Sequence, residues 1–154
     1  MIDLTVRSTV HLAKLVLRDM ATRDRGRVLV TSSIASTMPG SFQAVYNASK
    51  SFLQSFTEAL QEELKDTGIT LTSLMPGPTE TEFFERAGML DTPVGRSSKD
   101  DAAQVAAQGF AALMKGERAL VGGSLLTKAQ GVLSGVLPDA LKAKAHRQMA
   151  DPEK

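Results

Sequence analysis

Three stretches decide how this chain reads: GRVLVTSS at residues 26–33, YNASK at 46–50 and PGPTET at 76–81. Val28, Leu29 and Val30 make residues 27–31 a continuous apolar run, the pattern of a strand covered on both faces. Residues 31–41 are rich in Ser and Thr and are broken by Pro39-Gly40, which marks a loop. From about residue 43 to 66, Val45, Ala48, Phe52, Phe56, Ala59 or Leu60, and Leu64 recur at helical spacing. That spacing predicts an amphipathic helix burying this stripe, with Glu58, Glu62 and Lys65 largely off it. Residues 69–75 predict a second strand, and Pro76-Gly77-Pro78 stops it.

Outward from this centre the same alternation continues. Residues 3–20 read as a helix with Val6, Val10, Ala13, Leu17 and Met20 on one stripe, widened by Leu12, Leu15 and Val16. Residues 79–88 predict a short helix, and 91–97 a loop. Ser98-Lys99-Asp100-Asp101 resembles a capping box opening a helix that carries Val105, Phe110, Leu113 and Met114 and ends at Gly116. Residues 118–121 predict a third strand, 125–137 another helix, and Pro138 begins a basic helical tail. Helix, strand, helix, strand, helix, strand, helix is the order of an α/β domain with a parallel sheet. Right-handed crossovers would place helices on both faces. Residues 1–154 read as one domain.

Composition narrows the function. Eighteen Lys and Arg against 17 Asp and Glu leave a net charge of +1, which argues against a nucleic-acid binder working by phosphate neutralisation. The tail cations Lys142, Lys144 and Arg147 read as a solvated helix face, softened by Asp151 and Glu153. No apolar run approaches the ~20 residues of a membrane helix. No signal-peptide pattern opens the chain either, so the cytosol is the expected location. The absence of Cys excludes disulfides and thiolate catalysis. His11 and His146, far apart and each on a helix-like stretch, fit neither a zinc site nor a Ser-His-Asp hydrolase and read as packed or solvated.

The chemistry concentrates in residues 33–50. Tyr46 and Lys50, four apart in the first turns of a helix, share a face. An ammonium beside a phenol stabilises the phenolate and lowers the tyrosine pKa from about 10. Tyr46 would then exchange protons near neutral pH. Ser33 stands at the end of the preceding strand, where parallel sheets present functional loops. Such a pair also occurs by chance as a surface i,i+4 contact. Here, however, Tyr46 is the single tyrosine of the chain, and it lies 13 positions after Ser33.

In combination, residues 26–33, 46–50 and 76–81 resemble the short-chain dehydrogenase/reductase family over nearly the whole chain. The resemblance implies a partial Rossmann-like, doubly wound parallel sheet of about three strands, matching the C-terminal half of a family member. It implies an oxidoreductase that interconverts an alcohol and a carbonyl with NAD or NADP. In that reading Tyr46 is the general acid/base and Ser33 holds the substrate oxygen. Lys50 lowers the Tyr46 pKa and holds the nicotinamide ribose. Pro76, Gly77 and Thr81 form the turn against the nicotinamide, and residues 79–89 form a substrate lid. Ser32 is the rival for the serine role, one position too far from Tyr46. Read singly, Pro76-Gly77 is a strand-ending turn, Thr81 an N-cap, Ser33 a turn cap, and Phe83, Phe84 and Met89 core or substrate contacts.

Two departures qualify the resemblance. Where the family carries an asparagine before the serine strand, this chain reads Leu4-Thr5-Val6, and Thr5 supplies no amide for a water-mediated proton relay to Lys50. No Gly-x-x-x-Gly-x-Gly occurs in the sequence to hold a diphosphate. The strand at 27–31 is therefore expected to show an open edge that invites another chain. By resemblance the first helix and the Tyr46 helix form a dimer interface, so a homo-oligomer or a complementing chain is the expected partner. The alternative function is a truncated, inactive member that serves as an oligomerisation or interaction module.

Overall fold

The protein is described by a computed structural model over residues 1–152, the side chains of 134–136 excepted. Three strands, β1 (Gly26–Thr31), β2 (Ile69–Pro76) and β3 (Ala119–Gly122), form a parallel sheet in the order β1-β2-β3. The register runs from Gly26 opposite Ile69 to Thr31 opposite Leu74, and from Ser73 opposite Ala119 to Pro76 opposite Gly122. α1 (Ser8–Thr22) precedes β1, α2 (Ala44–Glu63) joins β1 to β2, and α5 (Ala102–Lys115) joins β2 to β3. Two short helices, α3 (Phe83–Arg86) and α4 (Pro93–Arg96), lie between β2 and α5, and α6 (Leu125–Val136) and α7 (Asp139–Ala150) follow β3.

Consecutive side chains of a strand point to opposite faces, and β2 shows which helix covers which face. The Ser73 hydroxyl donates to Gln54 of α2, whereas Leu74 packs on Gly109 of α5. α2 and α5 therefore lie on opposite faces, as the alternation predicted. The strands nevertheless step in one direction across the sheet, so the two crossovers have opposite hands. The expectation of right-handed connections throughout fails at one of them, against a strong general preference.

Three sequence readings change in the fold. Residues 3–20 are not one regular helix: Asp3–Arg7 form a turn of π-helix ahead of α1. There the Ser8 and Thr9 hydroxyls bond the carbonyls of Leu4 and Thr5, four residues back, a pattern that bends helices. Leu12 and Leu15 of α1 face out, and Ala13 is its buried residue.

The apolar stripe predicted to be the inner face of α2 is exposed at Val45, Ala48 and Phe52 and only half-buried at Phe56, Leu60 and Leu64. Val45 and Phe52 are exposed, and the residues turned inward are Asn47, Ser49, Leu53, Thr57 and Gln61. The side-chain donors of this polar inner face are bonded, while the Asn47 Oδ1 is buried without a partner. The Gln61 amide donates to the carbonyls of Leu71 and Arg118, and the Thr57 hydroxyl to that of Leu53. Leu53, Ile69, Leu71, Leu74, Val105 and Ala112 form the apolar core around them.

The third change is at α5. Its cap is Asp101, which accepts from the Gln104 amide at 2.7 Å, so residues 98–101 are not a capping box. α4 occupies part of the predicted loop at 91–97, with Thr92 as its cap, and α3 is shorter than the helix predicted at 79–88. Finally, β1 pairs only with β2 among the described residues and is half covered rather than enclosed, with Val30 its one buried residue. No described helix is long and apolar enough to cross a membrane.

Candidate active site

The loops at the C-terminal ends of β1 and β2 lie side by side, because Thr31 and Leu74 are register partners and the Ser32 amide bonds the Leu74 carbonyl. This edge of a parallel sheet is where ligand-binding loops gather. Ser33 leaves β1 in extended conformation and caps a 3-10 turn over Ile34–Thr37, its hydroxyl accepting from the Ala35 amide. Its side chain also lies within hydrogen-bonding reach of the Tyr46 phenol.

Lys50, one turn beyond Tyr46, crosses back to the strand. Its Nζ donates to the Thr31 carbonyl at 3.0 Å and stands 5.8 Å from the Tyr46 ring centroid. Ser32 completes a reciprocal tie by donating its hydroxyl to the Lys50 carbonyl at 3.0 Å. The fold thus gathers Ser33, Tyr46 and Lys50, and Ser32 spends its hydroxyl on joining strand to helix.

The electrostatics depart from the sequence expectation. Burial pushes the Tyr46 phenol above its ordinary value, and the Ser33 hydrogen bond only partly opposes this. Burial likewise holds Lys50 below the usual lysine range. The lowering of Tyr46 by Lys50 that the spacing suggested is not seen. The helical spacing indicated proximity, but the desolvation of both groups was invisible in it.

Pro76 and Gly77 continue from the end of β2, and the Gly77 amide bonds the Gly122 carbonyl at 3.4 Å. Thr81 is exposed; its hydroxyl donates to the Thr79 carbonyl and accepts from the Phe83 amide, closing a local turn ahead of α3. No described hydrogen bond joins Thr81 to Ser33, Tyr46 or Lys50. The lid segment reaches the tyrosine through an aromatic contact instead. The rings of Phe83 and Tyr46 lie 5.3 Å apart, and Phe83 meets Phe84 edge-on at 5.2 Å. Phe84 is buried as core, Phe83 remains 38% exposed, and Met89 is half-buried beside the Gln43 amide. Phe83 thus borders the site while Phe84 supports it.

Sequence reasoning missed Asn47. Its amide donates to the carbonyls of Ala35 and Met38, pinning the loop that carries Ser33 onto the helix that carries Tyr46. Adjacency to Tyr46 was the only available signal. His146 is packed: its Nδ1 lies 3.1 Å from the Ser41 carbonyl, and α7 thereby grips the segment entering α2.

A family model for short chain dehydrogenases matches residues 1–89. The chain belongs to the short-chain dehydrogenase family. It is 33% identical over 132 residues to the 3-oxoacyl-[acyl-carrier-protein] reductase FabG of Escherichia coli, covering 81% of this chain and 53% of that protein. An uncharacterised oxidoreductase of Staphylococcus epidermidis is 29% identical over 106 residues, 69% of this chain and 44% of that one. Among solved structures, a short-chain dehydrogenase from Sphingobium yanoikuyae in complex with NADPH superposes with a TM-score of 0.73 at 20% identity, covering 90% of this chain and 56% of that one. A structure described for its 7beta-hydroxysteroid dehydrogenase stereoselectivity gives 0.71 at 21% identity over 95% of this chain and 56% of that one. At such identities the two structures establish the fold. The chain spans about half the length of the curated relatives it matches.

Proposed function

We propose that this short-chain dehydrogenase chain forms the catalytic half of an NAD(P)-dependent oxidoreductase interconverting an alcohol and a carbonyl. The observation that carries this reading is the convergence of Ser33, Tyr46 and Lys50 at the C-terminal edge of the sheet, with Phe83 closing over the tyrosine ring. The polar residues fit the nicotinamide-ribose end of a cofactor. Lys50 would hold the ribose hydroxyls, and Pro76, Gly77 and Thr81 would line the nicotinamide. The diphosphate end would be held by a segment outside these 154 residues or by a complementing chain. A bound nicotinamide would supply or accept the hydride. In reduction the Tyr46 phenol gives its proton to the carbonyl oxygen and becomes phenolate, and in oxidation the phenolate takes the proton from the hydroxyl and becomes phenol. Ser33 donates a hydrogen bond to that oxygen and fixes its distance from Tyr46. A phenol held protonated by burial is suited to the reductive direction.

The bound substrate would be a small molecule resting against Phe83. The exposed apolar residues Leu12, Leu15, Val45 and Phe52 on α1 and α2 favour assembly with a second copy. The same face is the one observation favouring the second reading, a family member whose role is association without turnover.

Fluorescence titration of the purified chain with NADH and NADPH tests the proposal. Saturable binding, lost in Lys50→Ala and kept in Tyr46→Phe, is the expected result. No binding at millimolar cofactor, alone or with a chain supplying the glycine-rich half, would remove the oxidoreductase reading and leave the association module.

A further inference from the structure

Asp100 directly precedes Asp101, the cap of α5, and takes no part in that cap. Its main chain and side chain bond to two different corners of the fold. The Asp100 amide donates to the Pro78 carbonyl at 2.8 Å, and its carbonyl accepts from the Glu80 amide at 2.9 Å, forming an isolated parallel bridge between Thr79 and Asp100. Its carboxylate faces the corner between β3 and α6. Oδ1 accepts from the Ser124 amide at 3.0 Å, and Oδ2 accepts from the Thr127 hydroxyl. Thr127 is buried, and its methyl group presses on Gly77 so closely that a Cβ there would come within 2.4 Å of it.

We propose that Asp100 is the positioning residue of the turn at residues 76–80, holding it directly through the backbone bridge and indirectly through Thr127 against Gly77. This rests on the reading of that turn as the nicotinamide-facing segment. Pro76 and Gly77 are held to β3 through Gly122, and beyond them the backbone bonds of Pro78 and Glu80 go to Asp100. The Thr79 and Thr81 hydroxyls bond only within the turn or its continuation.

A carboxylate suits the position because both of its partners donate, and a carboxylate accepts at both oxygens. Asparagine would offer one of them a second donor. The Ser124 amide also lies at the N-terminus of the 12-residue α6, where a negative charge is favoured. Burial alone would raise the Asp100 carboxyl, yet the bonds from Thr127 and Ser124 outweigh it and hold the group below the usual carboxylate range. The far side of the corner is fixed independently. Gln108 bonds both the amide and the carbonyl of Gly123, so Asp100 pulls against a rigid support.

Amide hydrogen exchange without cofactor, paired with NADH and NADPH titration, tests the clamp. Asp100→Ala and Thr127→Val are each expected to speed exchange at Gly77 and Glu80 about tenfold, while the Ser32 and Leu74 amides between β1 and β2 keep wild-type rates. The double variant should exchange no faster than Asp100→Ala, because the two side chains act in one chain of contacts. Thr127→Ser, which keeps the hydroxyl, should restore protection at Glu80. In the titration Asp100→Ala should weaken cofactor binding at least about fivefold, and Thr127→Ser, which keeps the hydroxyl but loses the methyl against Gly77, should weaken it less.

Should Asp100→Ala fail to fold, Asp100→Asn and Thr127→Val carry the same comparison. Unchanged exchange at Gly77 and Glu80, or cofactor affinity unaffected by a loosened turn, would overturn the proposal. If the turn loosens as expected while the wild-type chain binds neither cofactor, the clamp stands and the oxidoreductase reading fails.

Discussion

On α2 the face turned to the sheet carries Asn47, Thr57 and Gln61, none more than 8% exposed, whereas the face turned to solvent carries Val45 and Phe52 at 53% and 41%. The usual sorting of polar and apolar residues is reversed along much of one helix. Polar residues are tolerated inside because each finds a backbone carbonyl to bond, so little is lost relative to water. Apolar residues left outside carry no such compensation, and Val45 and Phe52 of α2, like Leu12 and Leu15 of α1, gain from being covered. The buried polar side chains of α2 thus bond its own turn, the loop after β1 and the strands, at Thr57, Asn47 and Gln61 in turn.

The largest expected effect on this comparison comes from the inner face. Gln61→Ala removes an amide that serves two carbonyls at 3.0 and 2.6 Å and opens a small cavity, and should cost about 2–4 kcal/mol in urea denaturation. A loss below about 0.5 kcal/mol would mean that the buried amide is dispensable and that the apolar core alone sets the helix position. The outer face should respond in the opposite way. Phe52→Asp should leave the stability of the dilute chain within about 0.5 kcal/mol of wild type, yet abolish self-association in sedimentation equilibrium. Association that persists in this variant would move the interface off α2.

The sequence made some of this legible and hid the rest for identifiable reasons. β1 and β2 were readable because an apolar run ending in Ser32-Ser33, and another ending in Pro76-Gly77, have few alternatives as local structure. The gathering of Ser33, Tyr46 and Lys50 followed from strand end, helix start and a spacing of one turn. The facing of α2 was not readable, since a helical apolar stripe reports a surface that wants covering and does not say whether the cover is the sheet or another chain. The bonds of Gln61 and Asn47 to carbonyls distant in sequence exist only after the strands are in place. The capping-box reading gave the cap to Ser98 and left Asp100 without a role, and only the fold makes Asp101 the cap and ties Asp100 to the turn. The resting state of Tyr46 escaped as well, because spacing gives distance while burial sets the balance between phenol and phenolate.

The smallest effect expected is a pH dependence centred on His146, and it compares α7 with the loop it grips. His146 is buried against the Ser41 carbonyl; burial lowers its pKa below 6.5, and the bond to Ser41 opposes this only in part. The folded chain thus keeps the imidazole neutral where the unfolded chain begins to protonate it. As pH falls through the ordinary histidine value, the unfolded state binds the extra proton and stability falls, until the folded pKa is also passed and the dependence levels off. The neighbouring holds on the same loop are the Ser41 hydroxyl on the Ala143 carbonyl at 3.2 Å, Lys142 on the Thr37 carbonyl at 2.8 Å and Arg147 over the Phe42 ring at 5.6 Å. Denaturation midpoints measured between pH 7.5 and about 5 should therefore decline in the wild type and be flatter in His146→Gln, which keeps a donor for Ser41 without a titrating ring. Equal slopes for the two proteins would assign the decline to carboxylates elsewhere and show that His146 does not make the grip of α7 on the loop pH-dependent.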